Sequence, residues 1–269
     1  MGAPAAGPTP RFDARTRVLL EASIPATLVR LGTPNVLVML AQAAVGLIET
    51  YFVGQLGTDA LAGVTLVFPV LMLMQMMSGG AMGGGISSAI ARALGAGRRD
   101  DADALARHAL AIGLGFGVVF TLAVLVGGRW LYGAMGGRGP SLAAALTYSH
   151  VIFSAAILIW TFNSLAAVIR GTGNMAVPAI VTSVGAAGLI PLSPCLIFGL
   201  GPFPRLGVAG GAVAVVAYYL LGSIALALYL RSPRSVVHLS VRGLHFRWPL
   251  FRDILKVGLV ARSSLSPPT

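Results

Sequence analysis

Residues 31–53 read LGTPNVLVMLAQAAVGLIETYFV, an apolar run long enough to cross a bilayer and broken by one ionisable residue, Glu49. A charge inside a membrane costs on the order of 2.5–3.5 kcal/mol by insertion scales, so its presence points to a functional role. Gln42 and Asn35 precede Glu49 at seven-residue intervals. Seven residues make nearly two helical turns, so the three share one slowly drifting stripe. A carboxylate near a helix end can instead snorkel to the headgroups. Here no further charge follows until Asp59, about 15 Å onward at about 1.5 Å per residue if the helix continued so far. The stripe is therefore expected to face a cavity rather than lipid.

The composition generalises that reading. Of 269 residues, 56% are apolar and 10% charged, against roughly 25% charged in soluble domains. Mean hydropathy is +0.85. These values describe a polytopic membrane protein. The net charge of +11 sits mostly between apolar runs, as the positive-inside rule requires, and no basic stripe is interleaved with aromatics, so nucleic-acid binding is excluded. The lone Cys195 can make no intrachain disulfide. His108, His150, His238 and His245 show no metal-ligand pairing.

Six stretches reach spanning length: Leu28–Val53, Leu61–Gly85, His108–Val126, Ser149–Ile169, Val177–Phe198 and Val208–Leu230. The reading divides the chain into a disordered N-terminus (1–22), a six-helix lobe (23–230) and a segment 231–269. That last segment holds a loop, the start of a seventh helix near Asp253–Leu259, and an aberrant tail, Arg262–Thr269, of the kind a frameshift would produce. With the N-terminus inside, fifteen Lys and Arg collect on one side, against Arg129, Arg138 and Arg205 on the other. That bias makes the N-terminus cytoplasmic and the location the inner (plasma) membrane. Trp130-Leu131-Tyr132 reads as an interfacial aromatic belt, and Pro191-Leu192-Ser193-Pro194 marks the fifth span as bent.

Gly79-Gly80-Ala81-Met82-Gly83-Gly84-Gly85 lacks the Lys-Ser/Thr ending of a phosphate loop. Its GxxxG pairs, like Gly113 and Gly117, read as close helix packing. Asn163 reads as an interhelical hydrogen-bonding residue or a cavity residue. Gln75 and the surrounding methionines are candidates for a pocket lining, because Met adapts its shape. No nucleophile–base pair, metal cluster or paired carboxylates appear, so the chain is not read as an enzyme and needs no cofactor beyond a coupling ion.

Ile48-Glu49-Thr50-Tyr51-Phe52-Val53-Gly54-Gln55-Leu56-Gly57-Thr58-Asp59-Ala60-Leu61-Ala62 resembles the first-span signature of the multidrug and toxic compound extrusion (MATE) family. Ala91-Arg92-Ala93-Leu94-Gly95-Ala96-Gly97, Arg170-Gly171-Thr172-Gly173-Asn174 and Val208-Ala209-Gly210-Gly211-Ala212 are similar to later family motifs. The resemblance implies an all-α integral membrane protein, its six transmembrane helices forming one lobe of a twelve-helix transporter, truncated at the start of helix seven. The implied activity is antiport, exporting cationic amphipathic compounds in exchange for protons or sodium.

Position by position, the family usually has Asp where this chain has Glu49, and a Gln that matches Gln42. Family positions for Asn, Asp and Thr read Leu189, Ser193 and Val215 here. With those oxygens absent, the resemblance favours H+ over Na+ as coupling ion. Expected partners are small organic cations, the lipid bilayer and a missing C-terminal lobe, without which the fragment would be inactive. Glu49 and Gln42 are expected to couple ion to substrate, and Asn35, Gln75, Asn163 and Ser193 to line the cavity. The alternatives are a lipid-linked precursor flippase, which would need a cationic cavity, and a non-transporting half-size scaffold subunit.

Overall fold

A computed structural model describes residues 24–238, apart from the side chains of residues 24–31, 34, 35, 37 and 41. The expectations for residues 1–22, for the seventh helix and for the tail lie outside the described residues, as does that for the Asn35 side chain. The described residues form helices and turns. α1 is Ile24–Gly54, α2 Thr58–Gly95, α3 Arg99–Ala134, α4 Gly139–Ser154, α5 Ala156–Gly171, α6 Ala176–Phe198 and α7 Val208–Arg231. α2, α3, α6 and α7 are each long and apolar enough to cross a membrane, and α4 with α5 makes one further span bent by 49°. A hydrophobic exterior covers them: Val119, Leu122 and Val126 of α3, Val184 of α6 and Leu221 of α7 are exposed, as lipid-facing residues are.

The fourth span carries a bend that no proline marks. α6 runs as one helix through Pro191 and Pro194, whereas the fourth span breaks at Ala155 without any proline. Two hydroxyls explain the break. Thr121 Oγ1 of α3 donates to the Phe153 carbonyl (2.7 Å), and Ser154 Oγ donates to the Val151 carbonyl (2.7 Å). Side chains that take up ladder carbonyls at a helix end kink the helix there. α4 also begins ten residues before the expected Ser149, at Gly139, with Pro140 in its first turn.

Small residues set the helix spacing. A Cβ on Gly117 of α3 would lie 2.7 Å from the Ile157 Cα, and one on Gly113 would lie 2.7 Å from Ser164 Oγ, so this GxxxG pair does press α3 onto α5. Gly80 and Gly84 do not pack in this way: both are exposed, with nothing within 4 Å of where a Cβ would be. Trp160 stacks on Phe116 at 5.0 Å, filling the centre between α3 and α5. Of the expected belt, Trp130 is 78% exposed while Tyr132 is buried in the core. α6 ends on Gly199 in the left-handed region (φ 75°), which only a residue without a Cβ enters freely.

Within α2, Met76–Met82 is a π-helical segment, wound one residue wider than the α-helix on either side. The sequence-based reading did not contain it. Gly79 and Gly80 tolerate the change in winding, and Gln75 and Ser78 at its start are held by bonds to α5.

Candidate functional site

Glu49 lies near the end of α1, which packs against α6. It is 5% exposed, in contact with the lobe rather than with open surface. Its Oε1 accepts a hydrogen bond of 2.7 Å from the Tyr148 hydroxyl of α4. α7 closes the site with Gly211, where a Cβ would lie 3.2 Å from Glu49 Oε1, 3.7 Å from Ile197 Cδ1 and 3.8 Å from Tyr148 Cε2. The carboxylate thus sits where α1, α4, α6 and α7 converge, and a bare backbone on α7 makes room for it. A buried carboxylate with, among the described residues, one hydroxyl donor and no cationic side chain within ion-pairing distance is costly as a bare anion. A proton or a bound cation is what makes such a position tolerable.

A second polar cluster lies on α2, α5 and α7. Asn163 Nδ2 donates to Gln75 Oε1 (3.1 Å) and to Ser78 Oγ (2.8 Å), and Gln75 Nε2 donates to the Tyr219 hydroxyl. Both amide protons of Asn163 are therefore used within the lobe, which makes it an interhelical clasp. Asn163 Oδ1 faces Gly79, where a Cβ would stand 3.4 Å away. Tyr219 packs edge-on against Phe162 and Tyr218, at centroid distances of 5.4 and 4.8 Å.

The expected site residues therefore separate. Gln75 and Asn163 meet each other, but not Glu49, through direct bonds. Gln42 is exposed, about two turns from Glu49 along α1, so the stripe spans a buried end and an open one. Ser193 is fully buried, and its Oγ has no hydrogen-bond partner among the described residues. It lies one turn before Ile197, on the face of α6 turned toward Gly211. Leu189 and Val215, the other positions at which the resemblance expects cation-binding side chains, are buried apolar residues. Met74 and Met82 belong to the core, whereas Met72 and Met76 are exposed.

Tyr148, Tyr219, Ser78 and Gly211 were not anticipated. Tyr148 fell just outside the span expected to begin at Ser149, and nothing in an uncharged residue marks it as a partner for Glu49. The sequence-based reading also counted Arg170 with the loop arginines. It belongs to the last turn of α5, and its guanidinium Nη2 lies 3.4 Å from where a Gly83 Cβ would be.

The described residues thus form a helical membrane lobe with a buried carboxylate at a four-helix junction. The MatE family model matches residues 34–195, and the chain belongs to that family of membrane transporters. It is 31% identical over 214 residues to an FAD transporter of Shewanella oneidensis, covering 79% of this chain and 46% of that protein. It is 28% identical over 232 residues to a probable multidrug resistance protein, NorM, of Thermotoga maritima, covering 86% and 49%. A crystal structure of a MATE protein in the bent conformation superposes with a TM-score of 0.81 at 32% identity, covering 90% of this chain and 53% of that one. The chain spans about half the length of these relatives.

Proposed function

We propose that the lobe belongs to an antiporter that exports cationic amphipathic compounds in exchange for protons, with Glu49 carrying either the proton or the cation. The observation that supports this is the burial of Glu49 at the junction of α1, α4, α6 and α7, with Tyr148 as its hydrogen-bond donor among the described residues. A sodium ion needs several oxygen ligands, and the matching positions hold Leu189, Ser193 and Val215. A proton needs only the carboxylate. The chain is read as lying in the inner membrane with its N-terminus cytoplasmic, on the arginine bias between its ends. Gln42, on the exposed part of the same helix, is assigned to the substrate path.

The test is binding of the lipophilic cation tetraphenylphosphonium to the purified chain across pH. Proton and cation compete for one carboxylate, so affinity rises with pH by up to about tenfold per unit while the neutral form dominates. Glu49→Gln binds at least tenfold more weakly and without pH dependence. Equal binding by Glu49→Gln at every pH would overturn the proposal.

A second reading takes its cargo from the relative described as an FAD transporter. A flavin dinucleotide carries a pyrophosphate, and Glu49 has the wrong charge to hold it. This reading requires a cation elsewhere in the lobe.

A further inference from the structure

Thr121 bonds to neither Glu49 nor Tyr148, yet it holds the span that brings them together. Its Oγ1, on α3, donates to the Phe153 carbonyl at 2.7 Å, and the fourth span breaks at Ala155 with a bend of 49°. One turn earlier on the same face of α3, Gly117 presses on the backbone beyond the break, with the Ile157 Cα 2.7 Å from where a Cβ would be. α3 therefore grips the span on both sides of its bend. Residues 151–159 read VIFSAAILI, without proline, so the bend depends on hydroxyls that capture ladder carbonyls.

The two halves of the span serve different polar groups. α5 is fixed to α2 by Asn163, through Gln75 Oε1 (3.1 Å) and Ser78 Oγ (2.8 Å). α4 carries Tyr148, whose hydroxyl donates to Glu49 Oε1 at 2.7 Å. Tyr148 lies seven residues before Ala155, a lever of about 10 Å at about 1.5 Å per residue. With α5 held, removing the 49° bend would carry Tyr148 by about 9 Å, and each 6° or so by about 1 Å. A hydrogen bond is weak beyond about 3.2 Å, so a few degrees decide whether Glu49 keeps its donor.

We propose that Thr121 is a positioning residue for the Glu49 site: its bond to the Phe153 carbonyl sets the angle at Ala155 that places the Tyr148 hydroxyl on the carboxylate. This role rests on the assignment of Glu49 as the group that exchanges a proton for a cation. Among the described residues, the titratable side chains that interact with Glu49 are Tyr148 of α4 and Tyr219 of α7. Thr121 carries no charge, so its effect reaches Glu49 through Tyr148.

The experiment reads two quantities in the purified chain. One is tetraphenylphosphonium affinity against pH; the other is the carboxyl infrared band of Glu49, assigned by its loss in Glu49→Gln. Thr121→Val removes the hydroxyl at nearly the same volume. Its binding profile moves to higher pH by about one unit, a tenfold loss at neutral pH that disappears at high pH, because the charged carboxylate has lost a donor. Its carboxyl band moves to higher wavenumber for the same reason. Thr121→Ser keeps the hydroxyl and both wild-type readings. In a Tyr148→Phe background, Thr121→Val adds no further shift, whereas a merely structural loss would add to it and weaken binding equally at every pH. Should Thr121→Val not fold, Thr121→Ala is read in the same way. If Glu49→Gln binds like the wild type, the exchange reading of Glu49 falls and the band alone decides the role of Thr121. Where Glu49→Gln abolishes the pH dependence, an unmoved profile in Thr121→Val overturns the proposal. An unmoved band, or a second shift in the Tyr148→Phe background, overturns it in either case.

Discussion

The Tyr148 hydroxyl and Glu49 Oε1 are 2.7 Å apart, although 99 residues separate them in the chain. The bond ties α4 to α1 and gives a buried carboxylate its donor. Tyr148→Phe removes the donor while keeping the ring, so the charged form of Glu49 loses a charge-assisted hydrogen bond of about 1.5–3 kcal/mol. Tetraphenylphosphonium affinity at neutral pH should fall about tenfold or more, measured by equilibrium binding, with the fold retained by circular dichroism.

Gly211 determines whether Glu49 fits. A Cβ there would stand 3.2 Å from the carboxylate oxygen, too close for ordinary contact. Gly211→Val overfills the junction and should destabilise the chain by about 1–3 kcal/mol, seen as a lower melting temperature in detergent. Gly115→Ala on α3, with nothing within 4 Å of its Cβ position, should leave the melting temperature unchanged or raise it.

Asn163 joins α5 to α2 through Gln75 and Ser78. Asn163→Leu leaves both partners short of a donor. Interhelical bonds in membranes average about 0.6 kcal/mol and reach about 1.7, so a loss of that size is expected. Proton-dependent cation binding at Glu49 should survive, because the two clusters share no direct bond.

Gly117 sets the distance between α3 and α5, with the Ile157 Cα 2.7 Å from its Cβ position. That neighbour is backbone and cannot rotate away. Gly117→Val should force the helices apart and lower the melting temperature more than Gly211→Val does, since at Gly211 the nearest atom is the end of a side chain.

Five of the six expected spans were legible because length and apolarity act over about twenty residues, and Glu49 stood out because a charge inside an apolar run is rare. Tyr148 was not, since its span was read as starting one residue later and its pairing depends on how α4 meets α1. The break in the fourth span was not legible for a related reason. Pro191 and Pro194 are local signals within one continuous α6, while the break at Ala155 comes from a hydroxyl on another helix, Thr121. Arg170 counts equally toward the charge bias whichever way its side chain turns, so only packing against Gly83 shows that it turns inward. The π-helical segment likewise follows from bonds between α2 and α5, which no pattern within Met76–Met82 announces.

The most direct test of Glu49 as an exchange site is proton release. Tetraphenylphosphonium is added to the purified chain in weakly buffered solution at a pH where most of the protein holds the proton, and the pH change is recorded. The account predicts about one proton released per cation bound by the wild type, none by Glu49→Gln, and no replacement of the effect by sodium. Cation binding with no proton release from the wild type, or equal release from Glu49→Gln, would contradict it.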